Sequence, residues 1–225
     1  MRALWIVASD FDRTLSHERD SFKLRDDLSI KINQFSNIFK FFVVTGREER
    51  FIKVLAPNLR PTGWVLENGA LIIIGERKII NAPEGWFDLR EDISRQLNRI
   101  GVKHSLGEVI IYVNSWKEAR DFGRNVRVEM NRGDAMILPE GVDKGRGLIK
   151  AIKESKSEGK IIAVGDAEND EALFRVADIK VAVRNALSSV KEQADFITEK
   201  EDGEGVAELL DLILSGNFSK RVNIN

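Results

Sequence analysis

The stretch Ala3-Leu4-Trp5-Ile6-Val7-Ala8-Ser9-Asp10-Phe11-Asp12-Arg13-Thr14 decides the fold. Its apolar run, Ala3 to Ala8, lacks polar alternation, which is what a strand covered on both faces of a parallel sheet should look like. The run ends in two carboxylates two residues apart, at the place where open parallel sheets bind ligands, beyond the carboxyl ends of their strands. Taken alone, Asp10 and Asp12 fit turn or cap chemistry equally well.

Working outward, short β-branched or aromatic runs alternate with segments of helical period, which predicts parallel strands joined by crossover helices. A helix over Leu24–Phe35 leads to a second strand at Phe41–Val44. A helix over about Glu48–Leu55, stopped before Pro57, leads to a third at Trp64–Leu66. From about Gly75 to Pro139 the pattern changes: short strands at Val109–Val113, Val126–Met130 and Ala135–Leu138 lie among helices at Leu89–Ile100 and Trp116–Gly123. Alternation then resumes with helix Lys144–Glu154, strand Lys160–Val164, helix Glu168–Val176, strand Ile179–Val183 and helix Gly205–Leu214. The polar tail from Asn217 is expected to fray. The predicted fold is α/β, a Rossmann-like parallel-sheet core (residues 1–76 and 141–225) carrying an inserted smaller α+β cap (residues 77–140).

Length and composition limit the function. The 225 residues allow two units at most. Basic and acidic side chains nearly cancel, 35 against 36, so no clustered basic face is available for nucleic acid or an anionic membrane. There is no cysteine, which excludes thiolate nucleophiles, disulfides and thiol metal sites. The two histidines, His17 and His104, supply a zinc site or a Ser-His-Asp triad poorly and read as surface or loop residues. The first apolar run is too short for a secretory signal and no stretch could span a membrane, so a cytoplasmic protein is expected.

Three further segments carry chemistry. Thr45-Gly46-Arg47 follows the second strand and precedes a helix; a hydroxyl, a glycine and free helix-terminal amides make either an anion site or a capped tight turn. Asp143-Lys144-Gly145-Arg146-Gly147 opens a helix with cations and glycines, against both the helix dipole and helix propensity. A bound phosphate would offset that cost, although a solvated lysine after an Asp cap is the plainer alternative. Strand Ile161–Val164 runs into Gly165-Asp166-Ala167-Glu168-Asn169-Asp170, placing further carboxylates at a strand end and one helical turn on. Oxygen donors without histidine or cysteine suit Mg²⁺.

All four segments fall, in chain order, at strand carboxyl ends or at the helix starts facing them. In this the sequence resembles the haloacid dehalogenase-like phosphatase superfamily, whose motifs read here as Asp10-Phe11-Asp12-Arg13-Thr14, Thr45-Gly46-Arg47, Lys144, and Gly165-Asp166 through Asp170. The resemblance covers nearly the whole chain. It implies that Asp10 is a nucleophile forming an aspartyl-phosphate, that Asp12 is the acid and base, and that Thr45 and Lys144 hold the phosphate. It implies Mg²⁺ held by Asp10, Asp12 (through its carbonyl), Asp166 and Asp170. Thr14, Gly46, Arg47, Asn68 and Asn169 are the implied substrate contacts. The insert resembles the type IIB cap of Cof-like sugar phosphatases and archaeal phosphoglycolate phosphatases, so the expected activity is hydrolysis of a small phosphomonoester by a monomer or homodimer. Transfer chemistry of the phosphomannomutase type and a non-catalytic binding protein on the same scaffold are the alternatives. Two residues depart from the family pattern, Arg13 and Arg184, each standing where glycine is common.

Overall fold

In a computed structural model, residues 4–116, 121–131 and 133–222 are described. The elements follow in chain order: β1 (Trp5–Ser9), α1 (Asp26–Ser36), β2 (Lys40–Val44), α2 (Glu49–Leu55), β3 (Gly63–Leu66), β4 (Leu71–Ile74), β5 (Arg77–Ile80) and α3 (Trp86–Arg99). Next come β6 (His104–Leu106), β7 (Ile111–Val113), β8 (Val126–Asn131), β9 (Asp134–Pro139) and α4 (Lys144–Glu154). The chain closes with β10 (Lys160–Gly165), α5 (Glu171–Phe174), β11 (Ile179–Ala182), α6 (Ser188–Lys191), β12 (Phe196–Ile197), α7 (Asp202–Leu214) and α8 (Phe218–Arg221).

The larger sheet has the order β12-β11-β10-β1-β2-β3-β4-β5, parallel from β12 to β3. Every residue of β1 is buried, as its unbroken apolar run requires. The chain leaves β1 toward β2 on one side and returns later to β10 on the other, so the sheet's topological switch point lies at the carboxyl end of β1. Open parallel sheets bind their ligands at such a point. The smaller sheet, β6-β7-β9-β8, is antiparallel throughout and packs against α3 through a separate core that includes Ile93, Leu97, Ile111, Val113, Trp116 and Ile137.

Some expectations change. Beyond β3 the larger sheet continues with the antiparallel hairpin β4–β5, and the expected cap boundary at residue 77 falls inside it. The strand expected at Val109–Val113 is shorter, and β6 was not anticipated because His104-Ser105-Leu106 is half exposed and lacks a strand composition. Of the helix expected over Trp116–Gly123, residues 117–120 lie outside the described residues, and Asp121–Gly123 is not helical. The segment Glu168–Val176 breaks into a 3₁₀ turn and the short α5. Of the tail expected to fray from Asn217, Phe218–Arg221 forms α8, because Phe218 is buried edge-on against Trp5 and Phe196, and residues 223–225 lie outside the described residues.

Of the two histidines read as surface or loop residues, His17 lies in a loop and His104 instead in β6. Both are half-buried, with His17 Nδ1 2.6 Å from Asp202 and His104 Nε2 2.7 Å from the Ser94 hydroxyl. Glycines opening α4 turn out to serve packing: a Cβ on Gly145 would sit 2.1 Å from the Ala172 carbonyl oxygen, and one on Gly147 would sit 2.4 Å from the Gly69 Cα. Close approach of backbone to backbone, rather than a phosphate cradle, is what those two positions demand.

Candidate active site

Parallel pairing carries the first carboxylate into place. The Asp10 amide donates to the Val164 carbonyl at 2.9 Å, extending the β1–β10 ladder by one step and fixing Asp10 beside the turn that follows β10. Two residues into that turn's neighbourhood stand Asp166 and, one 3₁₀ turn on, Asp170. One carboxylate oxygen from each of Asp10, Asp166 and Asp170 lies within 4.8 Å of the others, and all three residues are buried.

Lys144 enters this cluster from the start of α4. Its Nζ donates to Asp10 Oδ1 and to Asp170 Oδ1, both at 2.7 Å, and the side chain is only 2% exposed. Burial alone would depress its pKa, but the charges of Asp10 and Asp170 more than offset that and hold it above the ordinary lysine value. For the carboxylates burial works the other way and raises the pKa. Burial, and then the charge of Asp170, push Asp10 well above the usual range, and the same two causes push Asp166 up to about 7 against the pull of Arg13 and Lys144. Carboxylates so crowded favour a cation, and an all-oxygen donor set suits a hard divalent ion.

The expected residues divide by position. Asp10, Asp12, Thr45, Gly46, Arg47, Asn68, Asp166 and Asn169 line one cavity of about 610 Å³. Thr14 does not; it is fully buried behind Asp166 and donates its hydroxyl to Oδ1 at 3.3 Å. Asp12 brings no carboxylate oxygen to the metal-type cluster, because Arg47 grips both of its oxygens at 2.6–2.9 Å while stacking over Phe22. The oxygens of Asp170 are engaged within the protein: Oδ1 accepts from Lys144, and Oδ2 accepts from the amides of Asp166 and Ala167 at 3.0 and 3.3 Å. Thr45 Oγ1 accepts from the Arg47 amide at 3.2 Å, which leaves its own proton free to donate into the cavity.

The far wall was invisible in the sequence. Ser105, Tyr112, Met136 and Glu129 are cross-strand partners in β6, β7, β9 and β8, so they form one row across the small sheet, and all four line the cavity. Alternation turns Ile111 and Val113 into the small core and leaves Tyr112 facing the larger domain, where its hydroxyl donates to the Gly46 carbonyl at 2.7 Å. A second tie is Glu67, fully buried at φ +51°. Its carboxylate accepts from the amides of Glu108, Val109 and Ile110 at 2.7, 2.9 and 2.9 Å. Burial raises its pKa even so. Only the sole tyrosine, set in a period-two run, offered any signal for this wall.

The geometry describes a cluster of buried carboxylates at a sheet switch point, covered by a small antiparallel domain. Known proteins agree with it. The profile of the haloacid dehalogenase-like hydrolases matches residues 117–210. Phosphoglycolate phosphatase 2 of Saccharolobus solfataricus is 50% identical over 97% of this chain and 96% of that protein. The phosphoglycolate phosphatase of Sulfurisphaera tokodaii is 47% identical over 96% of this chain and 98% of its own length. Among solved structures, a haloalkanoate-superfamily phosphatase from Bacteroides thetaiotaomicron superposes with a TM-score of 0.74 at 18% identity, covering 94% of this chain and 96% of that one, and so supports the fold. The chain belongs to the haloacid dehalogenase-like phosphatases. Among the described residues no helix is long and apolar enough to cross a membrane.

Proposed function

We propose that this protein hydrolyses phosphoglycolate, or a small phosphomonoester like it, through an aspartyl-phosphate on Asp10, with Mg²⁺ as cofactor. The observation that carries the reading is the placement of Asp10: a buried carboxylate at the switch point, 2.7 Å from Lys144 Nζ, clustered with Asp166 and opening on the cavity that Asp12 and Thr45 also line. The near-identical length and high identity of two phosphoglycolate phosphatases support the substrate.

Asp10 and Asp166 would hold the ion with the carbonyl of Asp12, and Asp170 would orient the cluster. Bound there, the ion would offset the repulsion between an anionic nucleophile and a dianionic phosphate. The chain's own groups do the rest. Thr45 donates its free hydroxyl proton to a phosphate oxygen, and Lys144 adds a fixed positive charge beside the attacking oxygen. Asp12, once Arg47 releases one of its oxygens and that oxygen takes a proton from solvent, gives this proton to the leaving alkoxide and then takes one from the water that cleaves the acyl phosphate. The small sheet's row of Ser105, Tyr112, Met136 and Glu129 faces the leaving group and limits its size. Asn68, whose Oδ1 is buried without a hydrogen-bond partner among the described residues, offers that leaving group an acceptor. A cytoplasmic location fits such a substrate.

Release of inorganic phosphate should be measured over a panel holding phosphoglycolate and several hexose phosphates. Turnover of phosphoglycolate is expected with Mg²⁺ and not with EDTA, and Asp10→Asn should abolish it while the fold survives. Full activity in that variant would overturn the nucleophile, and transfer of phosphate to a second hydroxyl in place of release would overturn hydrolysis.

A further inference from the structure

One charge near the cluster has no part in the chemistry above. Arg13 follows Asp12 with φ +59°, a left-handed conformation that is unfavourable for a residue with a Cβ. Three contacts hold it there. Its amide donates to the Ser16 carbonyl at 2.8 Å, its carbonyl accepts from Asn185 Nδ2 at 2.9 Å, and its Nη2 lies 3.2 Å from Asp166 Oδ2. Asn185 is itself fixed, giving a hydrogen bond to Asp202 Oδ1 at 2.8 Å and accepting one from the Asp202 amide at 2.7 Å. Asp202 is in turn paired with His17. The backbone is thus braced from behind while the guanidinium reaches into the cavity it lines.

Both oxygens of Asp166 already have a partner. Thr14 takes Oδ1 and Arg13 takes Oδ2, and the carboxylate is 6% exposed where the guanidinium is 24% exposed. The cation sits at the mouth and the anion inside. We propose that Arg13 is a built-in competitor for the divalent ion at Asp166, so that this protein holds its cofactor more weakly than the carboxylate cluster alone would, and exchanges an internal cation for the external one. The inference rests on the reading of Asp10 and Asp166 as the ion's ligands. Because linkage is reciprocal, whatever the guanidinium gains from Asp166 is subtracted from the ion's affinity, and such couplings commonly amount to about 5- to 150-fold.

The test is calorimetric titration of MgCl₂ into chelator-treated full-length protein. Arg13→Gln keeps a side chain on the left-handed backbone and removes the charge, Arg13→Gly removes the charge and relieves the backbone, and Arg13→Lys keeps the charge. Both neutral variants should bind Mg²⁺ on the order of tenfold more tightly than the parent, with the lysine variant within about threefold of it. A second readout separates charge from architecture. Without the ion, Arg13→Gln should melt below the parent, since Asp166 has lost its only close guanidinium among the described residues, and saturating Mg²⁺ should close or reverse that gap. Equal or weaker binding by both neutral variants overturns the competition while leaving the metal site standing. Failure of every protein, parent included, to bind Mg²⁺ overturns the site reading and this inference with it.

Discussion

Replacing Lys144 by methionine tests the electrostatic core of the site. Methionine approximates the length of the lysine stem, so packing changes little and the charge is what is lost. Lys144 Nζ donates at 2.7 Å to both Asp10 and Asp170, and none of the three side chains is more than 6% exposed. Removing one partner from a buried ion pair costs about 3–5 kcal/mol, because an uncompensated charge stays behind. For a chain of this size each kcal/mol lowers the melting temperature by about 2–4 °C, so Lys144→Met should melt about 6–20 °C below the parent in EDTA. The loss should be largely electrostatic and therefore reparable: adding Asp170→Asn removes one stranded carboxylate and should restore at least about 1 kcal/mol. Differential scanning calorimetry of the four proteins closes the cycle. A methionine variant that melts with the parent, or a double variant whose losses simply add, would show that the buried triad is not held by charge and would undo the argument.

Further outcomes follow from the same contacts. Although burial works against it, hydrogen bonds from Lys53 and Lys78 hold Glu49 down at about 2, below its ordinary 4.5, so the stability it contributes is present above pH 4.5 and lost as pH falls through 2. Glu49→Gln should therefore unfold more easily than the parent near neutrality, with the difference in denaturation midpoint shrinking between pH 4.5 and 2. Gly107→Ala would set a Cβ 2.7 Å from Glu67 Oε2, a carboxylate that cannot turn aside without dropping three amides; a loss of about 1–3 kcal/mol in urea unfolding is expected. Tyr112→Phe strands the Gly46 carbonyl and loosens the lid over the phosphate loop, so KM for phosphoglycolate should rise more than kcat falls in steady-state assays.

What the sequence revealed follows from what kind of contact makes each feature. Strands β1, β2 and β10 were legible because burial on both faces writes a nearly unbroken apolar run, and Asp10 and Asp166 were legible because they follow two of those runs. Hairpin β4–β5 was not read as strands, and the cap boundary at residue 77 cut it in two, because nothing along Leu71–Ile74 and Arg77–Ile80 states which sheet accepts them. The cavity's far wall was hidden for a related reason. Ser105, Tyr112, Met136 and Glu129 share a row only through the registers of three strand pairs, and no spacing along the chain encodes those. Likewise Glu67 sits in an Asn-Gly turn that reads as plain connection, and its purpose appears only when residues 108–110 fold over it.

Charge around Asp10 explains why so many of these residues are needed together. Asp10, Asp12, Asp166 and Asp170 meet Lys144, Arg13 and Arg47, four carboxylates against three cations in one enclosed region. A phosphate dianion added to that set alone would face a net negative wall, and at low local dielectric such repulsion is severe. A divalent cation turns the same wall net positive, and the dianion then returns it close to its starting balance. Each cation already has a carboxylate partner, so substrate and ion can enter only by loosening internal pairs, and the pairs at the cavity, Arg13 with Asp166 and Arg47 with Asp12, are the partly exposed ones. The fully buried triad, Lys144 with Asp10 and Asp170, stays fixed behind them. Rigid charge at the centre and exchangeable charge at the rim let one site bind ion and phosphate without unfolding around either.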